Sequence, residues 1–363
     1  FDTKRLEKRR VKGKAMKIVV IILIVLLILA AVLLFGAWSM FGTKITAAKS
    51  VQELEDGLYY MEFNGDYGFD TFLAQGGAST DAKMAEYITT FLSNGFWKPQ
   101  TEEVEKDFGC STLAVSDPDG GQLLGRNYDY DMKDCAAMIV HTKPDNGYES
   151  FSTCCLDFLG FGEGWKLEGM QNQYMALAAI YVPLDGMNEE GLCVADLISG
   201  DQEVTHQDTE KPDLTIVSAI RLLLDKAADV DEAIGLLEQY DMNSSIGTSH
   251  HLAISDANGK SVVVEYIDNE MIVTETPIVT NHYLSAGEKY GVGNEKSHTR
   301  FDNLVSMRER VKGIMRTDEL KSCMEKVSYQ NITQWSIVYD AENVALDFYW
   351  KRQYEQPHHF EIK

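Results

Sequence analysis

Proline is scarce, seven in 363 residues, and no repeat, low-complexity tract or Pro-rich linker divides the chain. Solenoid, collagenous and linker-rich architectures are thereby excluded. Cationic side chains are also short: 33 Lys and Arg stand against 56 Asp and Glu, a net charge of −23. Residues 1–17 hold eight of those cations beside Asp2 and Glu7 and contribute +6, so the remainder carries −29. A body that acidic repels phosphate backbones, which excludes nucleic-acid binding. The six cysteines (Cys110, Cys135, Cys154, Cys155, Cys193 and Cys323) show no CxxC spacing, so a zinc site is not expected. GxSxG, HExxH and GxxxxGKS/T are all missing. Gly160 to Trp165 imitates a dinucleotide loop without its third glycine. His250-His251 and His358-His359 alternate across strands, so neither pair can close on one metal. No cofactor and no metal is expected.

What is present begins with an uncharged run of 24 residues, Ile18 to Phe41. A helix rising about 1.5 Å per residue would cross the ~30 Å hydrocarbon core over that length. A signal-peptide apolar region is shorter, about 7–15 residues. The expectation is an uncleaved single-pass anchor over 18–41, with the basic tail 1–17 cytoplasmic and residues 43–363 outside. The chain begins at Phe1 rather than Met, which leaves room for residues upstream. Residues 43–109 read as an extracytoplasmic lead-in, with an aromatic stretch from Leu58 to Phe72 and an amphipathic helix near Asp81 to Phe96.

Beyond Cys110 the pattern changes to short β-rich runs between turn signals: STLAVS, GQLLG, AAMIVHT, QYMALAAIYV, GLCVADLI, HHLAISD, KSVVVEYI and EMIVTETPIVT. Asp119-Gly120-Gly121 and Asn258-Gly259 link neighbouring runs into hairpins. Helical periodicity appears over Asp213 to Tyr240, broken near Asp229, and over Ser297 to Lys312. Strands, then helices, then strands again predict a layered α+β domain rather than a parallel βαβ sheet. Cys154, Cys155 and Cys193 sit in apolar strand-like runs and read as buried free thiols.

The informative window is DFGCSTLAVSDPDGGQLLGRNYDYD, Asp107 to Asp131. A hairpin folded at Asp119-Gly120 brings Cys110 and Arg126 near one end, where a guanidinium favours thiolate and Asp129 can orient an amine or thiol. Taken alone, these residues fit equally well a structural ion pair beside a core thiol.

The window resembles the choloylglycine hydrolase family, N-terminal-nucleophile (Ntn) hydrolases of linear amides that include bile-salt hydrolases, penicillin V acylases and acid ceramidase. The shared pattern is a Cys, an Arg sixteen residues on within G-R-N, and an Asp three further, here Cys110, Arg126 and Asp129. Asp185-Gly186-Met187-Asn188-Glu189-Glu190-Gly191-Leu192 resembles D-G-M-N-E-K-G-L. Ile254-Ser255-Asp256 through Val264-Glu265 resembles the family's strand–turn–strand. Val279-Thr280-Asn281 is similar to L-T-N, and Ser297 to Phe301 to S-x-x-R-F with Arg300. The similarity covers 110–363, in order.

The resemblance implies a four-layer αββα sandwich over 110–363. It implies Cys110 as nucleophile with its own α-amine as base. An oxyanion hole would come from the Asn188 backbone N–H and the Asn281 side chain, with Arg126 and Arg300 keeping the site cationic. The substrate would be a small N-acyl amide, with Phe158, Phe161 and Trp165 candidates for an acyl pocket. Because Cys110 is internal, something must cut Gly109–Cys110. The leader looks like that of acid ceramidase, so self-cleavage is expected, with residues 43–109 staying packed on the catalytic part. Gly109 fits through its tolerance of strained backbone. Arg300 follows Asn281 by only nineteen positions, where bile-salt hydrolases carry the long insertion that builds their tetramer. An acyltransferase using the same thioester and an anchored, non-catalytic binding protein are the competing readings.

Overall fold

The strand-forming runs are rich in β-branched and aromatic residues, and several, such as Val262-Val263-Val264, are buried on both faces. Such strands need cover on two sides, and the computed structural model supplies it. It describes residues 2–93, 108–131, 135–161, 166–200 and 203–363, the side chains of 2–16, 18, 19, 21, 33, 34, 37, 39 and 108 excepted. The chain forms two units, residues 1–46 and 47–363.

The first unit is helical, the greater part of α1 (Asp2–Ser50). Its described apolar side chains between Val20 and Met40 are exposed, Leu27 by 69% and Phe35 by 75%. Among the described residues no helix is long and apolar enough to cross a membrane. The span expected over 18–41 lies in α1, where seven of its side chains are outside the description.

The second unit stacks two sheets. One has nine strands in the order β1 (Gln52–Glu55), β2 (Leu58–Asn64), β5 (Ala137–Lys143), β6 (Ser150–Cys155), β7 (Asp185–Asn188), β8 (Cys193–Ile198), β11 (His250–Ser255), β12 (Ser261–Ile267), β13 (Glu270–Glu275). The other has six: β14 (Ile278–Val279), β3 (Phe108–Ser116), β4 (Gln122–Tyr130), β15 (Thr333–Asp340), β16 (Ala345–Trp350), β17 (His358–Glu361). A small parallel pair, β9 (Asp213–Thr215) and β10 (Asp241–Asn243), stands apart.

Three cores separate the layers. Between the sheets, Tyr128 stacks on Trp335 at 4.0 Å, and Trp335, Phe348 and Trp350 continue the row. Such aromatic pairs add about 0.5–1.5 kcal/mol each beyond the area they bury. On the outer face of the larger sheet lie α2 (Phe69–Ala74), α3 (Asp81–Ser93), α4 (Gly169–Met175), α5 (Ile216–Lys226) and α6 (Val230–Leu237). The smaller sheet is covered by α7 (Glu295–Arg310) and α8 (Thr317–Val327). The layer order is αββα, as expected.

Local signals account for most boundaries. Gly120 and Gly259 take the left-handed φ (110° and 87°) that their hairpins need. Asp229 caps α6 by accepting from Glu232 N at 2.9 Å, which is the break expected there. The expected strand over 173–182 is instead α4 followed by a 3₁₀ turn through Tyr181. That run is apolar without alternation and rich in alanine, so period gives no vote and helix propensity prevails. Residues 94–107, the end of the expected α3 helix and the acidic connector, lie outside the described residues. The lead-in is more than a cover: β2 pairs with β5 in parallel over seven residues, Leu58↔Ala137 to Asn64↔Lys143.

Candidate active site

The β3–β4 hairpin sets the site. Its register places Cys110 opposite Tyr128, Arg126 opposite Thr112 and Gly109 opposite Asp129. Side chains alternate across a strand, so Cys110 and Arg126 share the face toward the larger sheet. Asp129 takes the opposite face, toward α7.

β14 pairs with β3 only at Thr112 and Leu113, so the Cys110 backbone has no strand partner on that edge. Two side chains replace it. Cys110 N donates to Asn281 Oδ1 at 2.6 Å, and the Cys110 carbonyl accepts from Arg300 Nη1 at 2.7 Å. Arg300 Nη1 also donates to Ser111 Oγ and to Asp129 Oδ2, each at 3.0 Å, and Nη2 to Asn281 Oδ1 at 2.6 Å. Thr333 Oγ1 donates to Asp129 Oδ1 at 2.5 Å. Five of the six expected residues, Cys110, Arg126, Asp129, Asn281 and Arg300, therefore form one buried group.

Asn188 does not join them. Its backbone N–H donates to the Leu192 carbonyl at 3.1 Å, and its side chain caps α5 through Leu224 O (3.1 Å) and Ala227 O (2.7 Å). It closes the turn after β7, and its N–H is not free for an oxyanion. The strand geometry offers another donor. Asp196 N pairs with Leu184 O, and carbonyls of Asp196 and Ile198 accept from Arg126 Nη2 (2.8 Å) and Asn281 Nδ2 (2.7 Å). N–H and C=O of one strand residue point the same way, so the Ile198 N–H faces the Asn281 amide.

Arg126 is wholly buried. Nε meets Asp185 Oδ2 at 3.3 Å, and Nη1 donates to Asn127 O at 2.8 Å. Asp185 also accepts from Trp335 Nε1 and Tyr339 OH, both at 3.1 Å. Burial opposes the Arg126 charge, but Cys110 and Asp185 beside it push its pKa up. Burial raises the Cys110 thiol; Arg126 pulls it down and Asp129 pushes it up again. Asp129 is raised by burial against the pull of Arg300 and Thr333. Asp185 and Thr333 escaped the sequence reading, although Asp185 opens the very D-G-M-N stretch in which Asn188 drew the attention.

Gly109 is required here by space. A Cβ would sit 3.1 Å from Asp129 Oδ2 and 3.2 Å from Asp129 Cβ. Its φ is outside the left-handed region, so the expected strained backbone is replaced by close approach. All six cysteines are free and buried, with Cys135 Sγ 3.5 Å from Cys155 Sγ. Phe158 packs on Tyr130 at 5.6 Å, Phe161 is buried in the outer core, and Trp165 lies outside the described residues.

Next to Asn281, the His282 ring lies tilted by 34° against that of His298 with centroids 4.2 Å apart, and Nδ1 meets Ser297 Oγ at 2.9 Å. Burial, then the His298 charge, lowers its pKa to about 4. The folded chain thus binds this proton less readily than the unfolded one, whose His titrates near about 6.5. The expected result is a urea midpoint that falls as pH drops from about 6.5 toward 4, and falls less in His282→Gln.

A family model described as acyl-coenzyme A:6-aminopenicillanic acid acyl-transferase matches residues 116–354, well over half of the chain. Penicillin V acylase of Pectobacterium atrosepticum is 32% identical over 100 residues, 24% of this chain and 26% of that protein. The matched part thus spans about a quarter of that relative's length. Among solved structures, a mutant conjugated bile acid hydrolase from Clostridium perfringens gives a TM-score of 0.52 at 17% identity, covering 70% of this chain and 92% of that one. Penicillin V acylase from Agrobacterium tumefaciens gives 0.49 at 19% identity, covering 70% and 86%. With that family model reaching from β3 to Tyr354, and the αββα layers closing around Cys110, the chain belongs to the acyl-coenzyme A:6-aminopenicillanic acid acyl-transferase family of Ntn hydrolases.

Proposed function

We propose that this chain is a membrane-anchored cysteine amidase. It cleaves a linear amide of a small N-acyl substrate through a thioester on Cys110, after Cys110 has cut its own bond to Gly109. The observation that carries the reading is the clamp on the Cys110 backbone by Asn281 and Arg300, with Arg126 on the thiol side. A core thiol has no need of two polar side chains clamping its main chain and a guanidinium beside its sulfur.

In the uncut chain the Gly109 carbonyl faces the Asp129 N–H across the ladder. Attack by Cys110 Sγ on that carbonyl carbon breaks the C–N bond, and the thiol proton passes to the nitrogen. Water then releases the Gly109 carboxylate and restores the thiol. The freed α-amine has a pKa of about 7.7–8 and can take the thiol proton in each later turnover. The thiolate attacks the substrate amide, the Asn281 amide and the Ile198 N–H face the developing oxyanion, and the α-ammonium protonates the leaving amine. Asn281→Ala should lower turnover by about 10²–10³, the usual result of losing one such donor, read from initial rates.

Anchoring through residues 18–41 rests on the uncharged run and on the exposed apolar side chains among its described residues. The basic tail then lies in the cytoplasm and residues 43–363 outside. Residues 43–109 remain on the catalytic part through the β2–β5 ladder.

The test is intact mass of the detergent-purified full chain, with amine release from penicillin V and glycocholate. Two polypeptides meeting at Gly109/Cys110 together with amine release support the reading; one uncut, inert chain overturns it. The family description favours a second reading, acyl transfer. Added hydroxylamine would then divert acyl groups from acid to hydroxamate.

A further inference from the structure

The segment between β10 and β11 carries strain that nothing in the hydrolytic reading uses. Ile246 holds φ at 54°, a left-handed conformation that a β-branched side chain rarely adopts. What holds it there is Asp81, at the start of α3 in the lead-in, whose Oδ2 accepts from Ile246 N at 2.7 Å. The same segment places the Ser245 carbonyl 2.7 Å from Nε2 of His250, a residue only 1% exposed. On the other side of the ring, Nδ1 lies 2.9 Å from Asp196 Oδ1.

Both partners of this imidazole accept hydrogen bonds. A neutral ring has one N–H and would leave a lone pair against an oxygen; only the doubly protonated ring satisfies both contacts. Burial works against that charge, while Asp196, the Ser245 carbonyl and Asp81 favour it, and the balance raises the pKa. The charged groups facing the ring are Asp196 from β8 and Asp81 from α3.

Asp196 links this ring to the candidate site. Its carbonyl takes Arg126 Nη2, and two residues on the Ile198 carbonyl takes the Asn281 amide, so 196–198 is the bar to which both site residues are fastened. Its charge also acts on Cys110 at a distance, where it disfavours thiolate less strongly than burial and Asp129 do. A cationic ring on that carboxylate removes the penalty and fixes the bar.

We propose that His250 is a positioning residue, which as an imidazolium neutralises Asp196 and holds the 196–198 segment beneath Arg126 and Asn281, and that Asp81 of the lead-in keeps the ring in its charged state. This rests on Cys110 being the reactive thiol. The lead-in is then a working part of the site.

The experiment uses the full chain in detergent micelles with ring-¹⁵N histidine. The signal lost in His250→Gln identifies the ring. Its titration midpoint is expected above the ordinary value of about 6.5, and lower in Asp81→Asn than in the native chain. Alkylation of Cys110 by iodoacetamide at pH 7, followed by peptide mass, is expected to slow several-fold in His250→Gln, since an uncompensated Asp196 carboxylate disfavours the thiolate. Cys323, far from the bar in the α8 core, should react at an unchanged rate. A midpoint at or below 6.5, or equal Cys110 alkylation in both chains, overturns the proposal. Should His250→Gln fail to fold, Asp81→Asn carries both readouts, with slower alkylation above its lowered midpoint. Neither readout requires turnover, so a chain inert toward amides would sink the proposed function while leaving this inference decided on its own result.

Discussion

Cys110→Ala is expected to leave the Gly109–Cys110 bond whole and to lower amide turnover by about 10⁶, the scale on which a covalent nucleophile matters. The two losses have one cause. In the proposed mechanism Sγ is the attacking atom in both steps, and the change leaves the β3–β4 ladder and the backbone contacts of residue 110 with Asn281 and Arg300 in place. Intact mass gives the first loss and amine release the second. A protease acting from outside would separate them: the variant would then be cut at 109/110 and still be inert. Cys110→Ser keeps a hydroxyl in place and should retain slow cutting, which distinguishes missing chemistry from altered folding.

The second large effect concerns stability. Asp185→Ala should destabilise the second unit by about 3–5 kcal/mol, the usual result of stranding one member of a buried ion pair. Arg126 and Asp185 are both fully buried, and the lost carboxylate would also leave Trp335 Nε1 and Tyr339 OH without their acceptor. Replacing Arg126 at the same time, as Arg126→Met with Asp185→Leu, removes both charges and should recover much of the loss. Denaturant midpoints of the single and double variants in micelles read the difference directly. A single-variant loss below about 1 kcal/mol would mean that water reaches Arg126.

The hairpin half of the site was legible because its turn is. Asp119-Gly120 fixes the β3–β4 register, and once that is fixed Cys110, Arg126 and Asp129 cannot be elsewhere. The Arg300 and Asn281 contacts are not readable from spacing, since they exist only because β14 stops after Val279 and leaves the Cys110 backbone open. Asp185 lay in plain view but finds Arg126 across the gap between two sheets, a pairing that no local pattern encodes. The same holds for Asn188. Its turn is as regular as the motif promised, yet its N–H is already committed to Leu192. Likewise β2 reads as an aromatic stretch; that it runs parallel to β5 depends on a partner more than seventy residues downstream. Patterns of period two and 3.6 name elements well and name their neighbours poorly.

That seven-residue ladder between β2 and β5 has a thermodynamic consequence for a chain cut at Gly109. Before the cut, folding is unimolecular and indifferent to dilution. Afterwards the two polypeptides share one sheet without a covalent link, and regaining the fold becomes a second-order encounter whose midpoint shifts with protein concentration. The intact precursor has a short tether in place of that encounter, so folding is fastest if it is complete before the bond is broken. Once unfolded in dilute solution, the severed enzyme has largely lost its way back.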